Sequence, residues 1–210
     1  MELSLEEYIE SHITLEHPYL TKLYRATQTH LLYPRMASGH TQGTLLTMIC
    51  RLVKPKKVLE LGTYSGYATL AMAAGMDEES MIRTLELSDE QEVFTQPWFE
   101  NSPFPPKIEM IICDAREYLK KDTDIYDLIF VDANKREYSD YYRLLMPRLR
   151  KGGLLLADNT LWSGHVLEPS EKASAQTRGI QEFNEIVAQD DSVEKTILPL
   201  RDGLTMIYKK

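Results

Sequence analysis

Apolar side chains recur at helical spacing through the first 53 residues, whereas from Lys57 onward short apolar runs alternate with amphipathic stretches of helical length. Ser4 followed by Glu7 predicts a capping box opening a short helix that ends near Ser11. Pro18 is suited to start a second helix over Pro18–Leu32, and a third is expected from about Thr41 to Val53. The runs K-V-L-E-L, M-I-R-T-L-E-L, I-E-M-I-I-C, Y-D-L-I-F-V-D and G-L-L-L-A-D then read as strands apolar on both faces. Separated by helices, they predict right-handed βαβ units and a parallel sheet.

Punctuation along the chain sharpens the boundaries. Ser88 with Gln91 predicts a cap on the helix after the second strand, with Asp89 and Glu90 at its positive end. Pro147 should kink or shorten the helix over Tyr138–Leu149, and Lys151-Gly152-Gly153 is the expected stop before strand five. A long polar loop and a helix over Ala175–Gln189 follow. In the tail, K-T-I-L-P-L and L-T-M-I-Y joined by Arg201-Asp202-Gly203 predict an antiparallel hairpin closing one sheet edge. The fold class is therefore α/β: a three-layer α/β/α sandwich whose mostly parallel sheet has seven strands, read as one domain. A helical cap covers 1–53 and a Rossmann-like core covers 57–210.

Composition adds boundaries. At 210 residues, 43% apolar and 27% charged, the chain is long enough for a sizeable core without disulfides, and disorder, collagen and coiled coil are excluded. A net charge of −8 argues against a uniformly basic nucleic-acid surface. Cys50 and Cys113 form no CxxC pair, which suits a reducing cytoplasm. The opening M-E-L-S-L-E-E-Y-I-E is acidic and unlike a signal peptide, and no run of ~18 apolar residues is present to span a membrane.

Strand one ends in V-L-E-L-G-T-Y-S-G-Y, placing Glu60, Gly62 and Gly66 at a strand-to-helix turn where the backbone can approach a ligand. The spacing is G-x-x-x-G, not the G-x-G-x-x-G of dinucleotide enzymes, which disfavours a nicotinamide oxidoreductase. Glu86, ending strand two, suits ribose hydroxyls. Two acids around a glycine turn repel phosphate and favour a cationic nucleoside such as S-adenosylmethionine, although a plain tight turn has the same glycines. Strands four and five end in F-V-D-A-N-K and L-L-A-D-N-T-L-W, so Asp132, Asp158 and Asn159 should converge at adjacent strand tips. Two carboxylates and an amide oxygen are hard ligands for Mg²⁺, with Mn²⁺ or Ca²⁺ as substitutes. They leave about three positions open for vicinal acceptor oxygens and water. Lys135 is close enough in sequence to take an acceptor's proton.

The segments E-L-G-T-Y-S-G-Y, Y-D-L-I-F-V-D-A-N-K with Tyr138 following, and G-G-L-L-L-A-D-N-T-L-W-S-G-H-V resemble the cation-dependent O-methyltransferases, among them catechol and caffeoyl-coenzyme A O-methyltransferases. The resemblance runs from about Met36 to the R-D-G-L-T tail. It implies a class I methyltransferase fold, a homodimer and a small-molecule acceptor. By motif position Asp132, Asp158 and Asn159 resemble the family's metal ligands and Lys135 its base. Glu60, Gly62, Thr63, Tyr64, Gly66 and Glu86 match cofactor positions, Ser38 the methionine end, Asp114-Ala115 the adenine side, and Asp132 also the cofactor amine.

Asn134 stands where many relatives carry Asp, and the insertion with which plant members hold coenzyme A esters is missing. A hydroxylated uridine in transfer RNA is the alternative acceptor, with Lys54, Lys56 and Lys57 as a local basic patch. A non-catalytic nucleoside-binding module is the alternative of another class. Trp162 is equally suited to wall the acceptor or to anchor its loop; His165 is expected in solvent and Cys113 as a small buried hydrophobe. Tyr138, Tyr141 and Tyr142 read as a helix face packed on the sheet.

Overall fold

The computed structural model describes residues 4–210. Three helices open the chain: α1 (Leu5–His12), α2 (Pro18–His30) and α3 (Gly39–Val53). Ser4 Oγ accepts from the Glu7 backbone N–H at 3.2 Å and the Glu7 carboxylate accepts from the Ser4 N–H at 2.8 Å, so the expected capping box is formed. The α/β alternation follows as β1 (Lys57–Leu61), α4 (Tyr67–Ala73), β2 (Met81–Glu86), α5 (Glu90–Glu100), β3 (Lys107–Ile112), α6 (Ala115–Lys121), β4 (Tyr126–Val131), α7 (Tyr138–Leu145), β5 (Leu149–Asp158) and α8 (Ala175–Gln189). The chain closes with β6 (Val193–Leu198) and β7 (Leu204–Lys209).

The seven strands lie in the order β3-β2-β1-β4-β5-β7-β6, with the first five parallel and β7 antiparallel to both neighbours. Strand order reverses between β1 and β4, so their carboxyl ends flank the crevice where open α/β sheets hold ligands. Period-two alternation sends successive side chains to opposite layers. Val58, Leu128, Phe130 and Leu156 pack with Leu23, Leu46 and Leu70 on one face, and Leu59, Ile129, Leu155 and Ile207 pack with Leu145, Ile180 and Phe183 on the other. The N-terminal helices thus share a core with the sheet.

Three boundary expectations are corrected. Ser88 does not cap α5 with its side chain: Asp89 is the cap residue and makes no side-chain bond, while the Ser88 N–H donates to Glu86 Oε1 at 3.0 Å. The Gln91 N–H that a Ser88 hydroxyl cap would use is taken by the Ser88 carbonyl oxygen at 3.3 Å instead. Lys151-Gly152-Gly153 is not a helix stop either. The helix ends at Leu145, two residues before Pro147, and the glycines lie inside β5. There the pairing with β4 slips from Tyr126↔Leu149 to Leu128↔Leu154, and Gly152 adopts φ +70°. A left-handed glycine makes a bulge at low cost, and the proline had already closed the helix. α2 also stops at His30, short of the expected Leu32.

Candidate active site

β1 runs into a turn at Gly62 that only glycine accommodates. Its φ is +93°, and a Cβ there would overlap the Asp132 carbonyl oxygen. The Gly62 N–H donates to Leu85 O at 2.9 Å, and the Asp132 N–H to Leu61 O at 2.8 Å, so the tips of β1, β2 and β4 are laced together. Glu86 Oε2 accepts from the Tyr64 N–H at 2.8 Å and Oε1 from the Leu87 N–H at 2.9 Å. One carboxylate therefore braces the glycine turn against the turn after β2. Beneath it, the hydroxyls of Thr63 and Thr84 are 2.6 Å apart and buried.

Glu60 is fully buried on the α4 side of the sheet, where Thr69 Oγ1 donates to Oε2 and Oε1 has no partner. Burial pushes its carboxyl up to about 8 against the opposing bond of Thr69, so it is chiefly neutral at pH 7.

At the tips of β4 and β5 a second cluster forms. Lys135 is 7% exposed, and its Nζ donates to Asp132 Oδ1 at 2.6 Å and to the Tyr138 hydroxyl at 2.8 Å. That hydroxyl in turn lies 3.0 Å from the Asp158 carbonyl oxygen. Asp158, 4% exposed, accepts from the Asn159 N–H at Oδ1 and from Gln42 Nε2 at Oδ2, each at 2.8 Å. Burial first and the Asp132 charge second raise its carboxyl above the ordinary range, with Gln42 and Lys135 opposing. Among the described residues no three His, Cys, Asp or Glu side chains cluster as metal ligands. The set here is two carboxylates and the Asn159 amide.

A cavity of about 920 Å³ joins the two clusters. Of the residues singled out from sequence, Gly62, Tyr64, Glu86, Asp114, Ala115, Asp132, Lys135, Asp158 and Asn159 line it. Ser38, Glu60, Thr63 and Gly66 lie behind the wall: Ser38 is buried at the head of α3, and Gly66 sits against Phe99 at the start of α4. Asp114 both lines the cavity and caps α6, accepting from the Arg116 N–H at 2.8 Å. Trp162 and Asn134 line the cavity as well. Cys113 departs from expectation, being half-buried at the wall because β3 is flanked by a strand on one side only. His165 is exposed beside Glu168, and Tyr138, Tyr141 and Tyr142 are buried on the sheet as expected, though Tyr141 also reaches the cavity.

Two participants escape a reading of the sequence. Gln42 interrupts the apolar stripe of α3 (Leu46, Ile49, Cys50), a polar residue at a buried helical spacing that was there to be noticed. Arg201 lines the cavity and donates to the carbonyls of Ala37, Ser38 and Arg35 (2.8 Å to Ala37, 3.1 Å to Arg35), tying the β6–β7 turn to the segment before α3. No local pattern announces either contact. No helix among the described residues is long and apolar enough to cross a membrane.

Comparison with known proteins gives consistent matches. A family model described as O-methyltransferase matches residues 10–210. Catechol O-methyltransferase domain-containing protein 1 of Mus musculus is 32% identical over 212 residues, which cover 98% of this chain and 79% of that protein. Caffeoyl-CoA O-methyltransferase 5 of Nicotiana tabacum is 29% identical, covering 97% of this chain and 90% of its own length. Among solved structures, the SAH-bound methyltransferase PaMTH1 of Podospora anserina superposes with a TM-score of 0.89 at 27% identity, covering 98% of this chain and 94% of that one.

Proposed function

The chain belongs to the O-methyltransferase family and is an S-adenosylmethionine-dependent enzyme; from that premise we propose that it methylates one oxygen of a small catechol-like acceptor with the help of a divalent cation, Mg²⁺ first among them. The observation that carries this reading is one cavity lined both by Gly62, Tyr64 and Glu86 and by Asp132, Lys135, Asp158 and Asn159. The donor set fits a hard cation. Two carboxylates face a single buried lysine, and the carboxylate that is nearly sealed from solvent, Asp158, has a neutral amide as its side-chain partner. Asp132, Asp158 and Asn159 would hold the cation, whose charge makes an acceptor hydroxyl easier to ionise.

The chain's own residues do the rest. The Gly62 turn admits the cofactor's backbone-facing atoms, and Glu86 has acceptor capacity left for ribose hydroxyls. Lys135 Nζ receives the acceptor's proton, and its charged form is then held by Asp132 and the Tyr138 hydroxyl in the arrangement observed. Methyl transfer needs oxygen, carbon and sulfur in line, which is mainly a matter of positioning.

Transfer of labelled methyl to a simple catechol tests the proposal. Product is expected with Mg²⁺, and none with a chelator or in Asp158→Ala. Undiminished transfer in chelator refutes the cation, and absence of transfer under every cation refutes the acceptor class.

A further inference from the structure

Gln42 lies on α3, 116 residues from Asp158 in sequence, and is 1% exposed. Burying a primary amide is unfavourable unless its polar atoms are satisfied. Here Nε2 makes one bond, to Asp158 Oδ2 at 2.8 Å, and Oε1 has no partner at all. A fold seeking only stability would place an apolar side chain there, as it does at Leu46, Ile49 and Cys50 on the same face. The amide's orientation is fixed by chemistry, because turning it would aim its oxygen at a carboxylate. With the Asn159 N–H on Oδ1 and Gln42 on Oδ2, each Asp158 oxygen carries one donor, which sets the carboxylate plane and leaves further lone pairs open.

α3 is held where this contact requires. Gly43, the next residue, packs so closely on Tyr67 of α4 that a Cβ would come within 2.9 Å of the ring. α3 therefore delivers its amide from the layer of N-terminal helices to the tip of β5. We propose that Gln42 is a positioning residue: it orients the Asp158 carboxylate for cation binding, and so makes the N-terminal helical segment part of the cation site. The inference rests on the cation site proposed above. Partners that orient a metal's ligands typically contribute 10–100-fold in affinity.

Mn²⁺ titration of the full chain, followed by the electron paramagnetic resonance signal of free Mn²⁺, reads the effect without turnover. Gln42→Met, close in volume and without a donor, should bind Mn²⁺ about 10–100-fold more weakly, while S-adenosylhomocysteine binds within about twofold of wild type, since Gln42 lies outside the cavity wall. Gln42→Asn keeps the amide but shortens its reach, and should lose Mn²⁺ affinity in the same way. Wild-type Mn²⁺ affinity in both variants overturns the proposal while leaving the cation site standing. Equal losses for Mn²⁺ and S-adenosylhomocysteine, or failure of both variants to fold, assign Gln42 to packing and overturn it too. A wild-type chain that takes up no Mn²⁺ overturns the cation site and this inference with it.

Discussion

Glu60→Gln isolates the energetic consequence of a carboxyl sealed under the glycine turn. In the folded chain that carboxyl titrates at about 8, against 4.5 for a free glutamate. Between those values the folded state keeps a proton that the unfolded chain releases. The folded state then binds more protons, so stability falls as pH rises through this window, by up to about 1.4 kcal/mol per pH unit. From about pH 5.5 to about pH 8 the cost comes to about 3 kcal/mol. Glutamine has the same shape and does not titrate. Its buried N–H₂ replaces the unpartnered Oε1 and adds a penalty of about 1–3 kcal/mol that is the same at every pH. Thermal melts of both chains across that range, without added ligand, cancel the other titrating groups in the difference. For a chain of this size the gap in Tm should move by about 6–12 °C in the variant's favour between the two ends. Parallel Tm curves would show that Glu60 is ionised in the folded state and refute the argument.

Lys135→Ala should lower kcat by about 10²–10⁴-fold in labelled methyl transfer, and a retained rate near neutral pH would remove Lys135 from the role of base. Gly62→Ala combines a φ of +93° with overlap of the Asp132 carbonyl, so a loss of several kcal/mol is expected in urea unfolding; a midpoint near wild type would mean the turn relaxes freely. Ser174→Ala deletes the bond that Ser174 Oγ accepts from the Thr177 N–H at 3.0 Å at the start of α8, costing about 1 kcal/mol with an unchanged m value; a shift in m would point to a wider rearrangement.

Local pattern carries far in this chain. The capping box at Ser4, the bounds of α8, the doubly buried strands β1 and β4 and the edge hairpin follow from periodicity and turn chemistry, which act over a few residues, whereas β3 at the sheet edge is only half-buried. The meeting of Asp132 with Asp158 and Asn159 on one cavity follows as well, because a parallel sheet brings carboxyl ends to one edge whatever the details. Strand alternation decides less visibly. It turns Glu60 into the α4 layer, so a carboxylate that sequence groups with the cofactor turn ends up bonded to Thr69 instead of lining the cavity. At Gly152-Gly153 two local rules compete, helix stop against bulge, and Pro147 settles the contest by ending α7 first. The contacts of Gln42 with Asp158 and of Arg201 with the segment before α3 lie beyond any such rule. They join residues far apart in the chain, and their partners are set by how whole layers pack, a global balance of burial and polar satisfaction that no short window of residues contains.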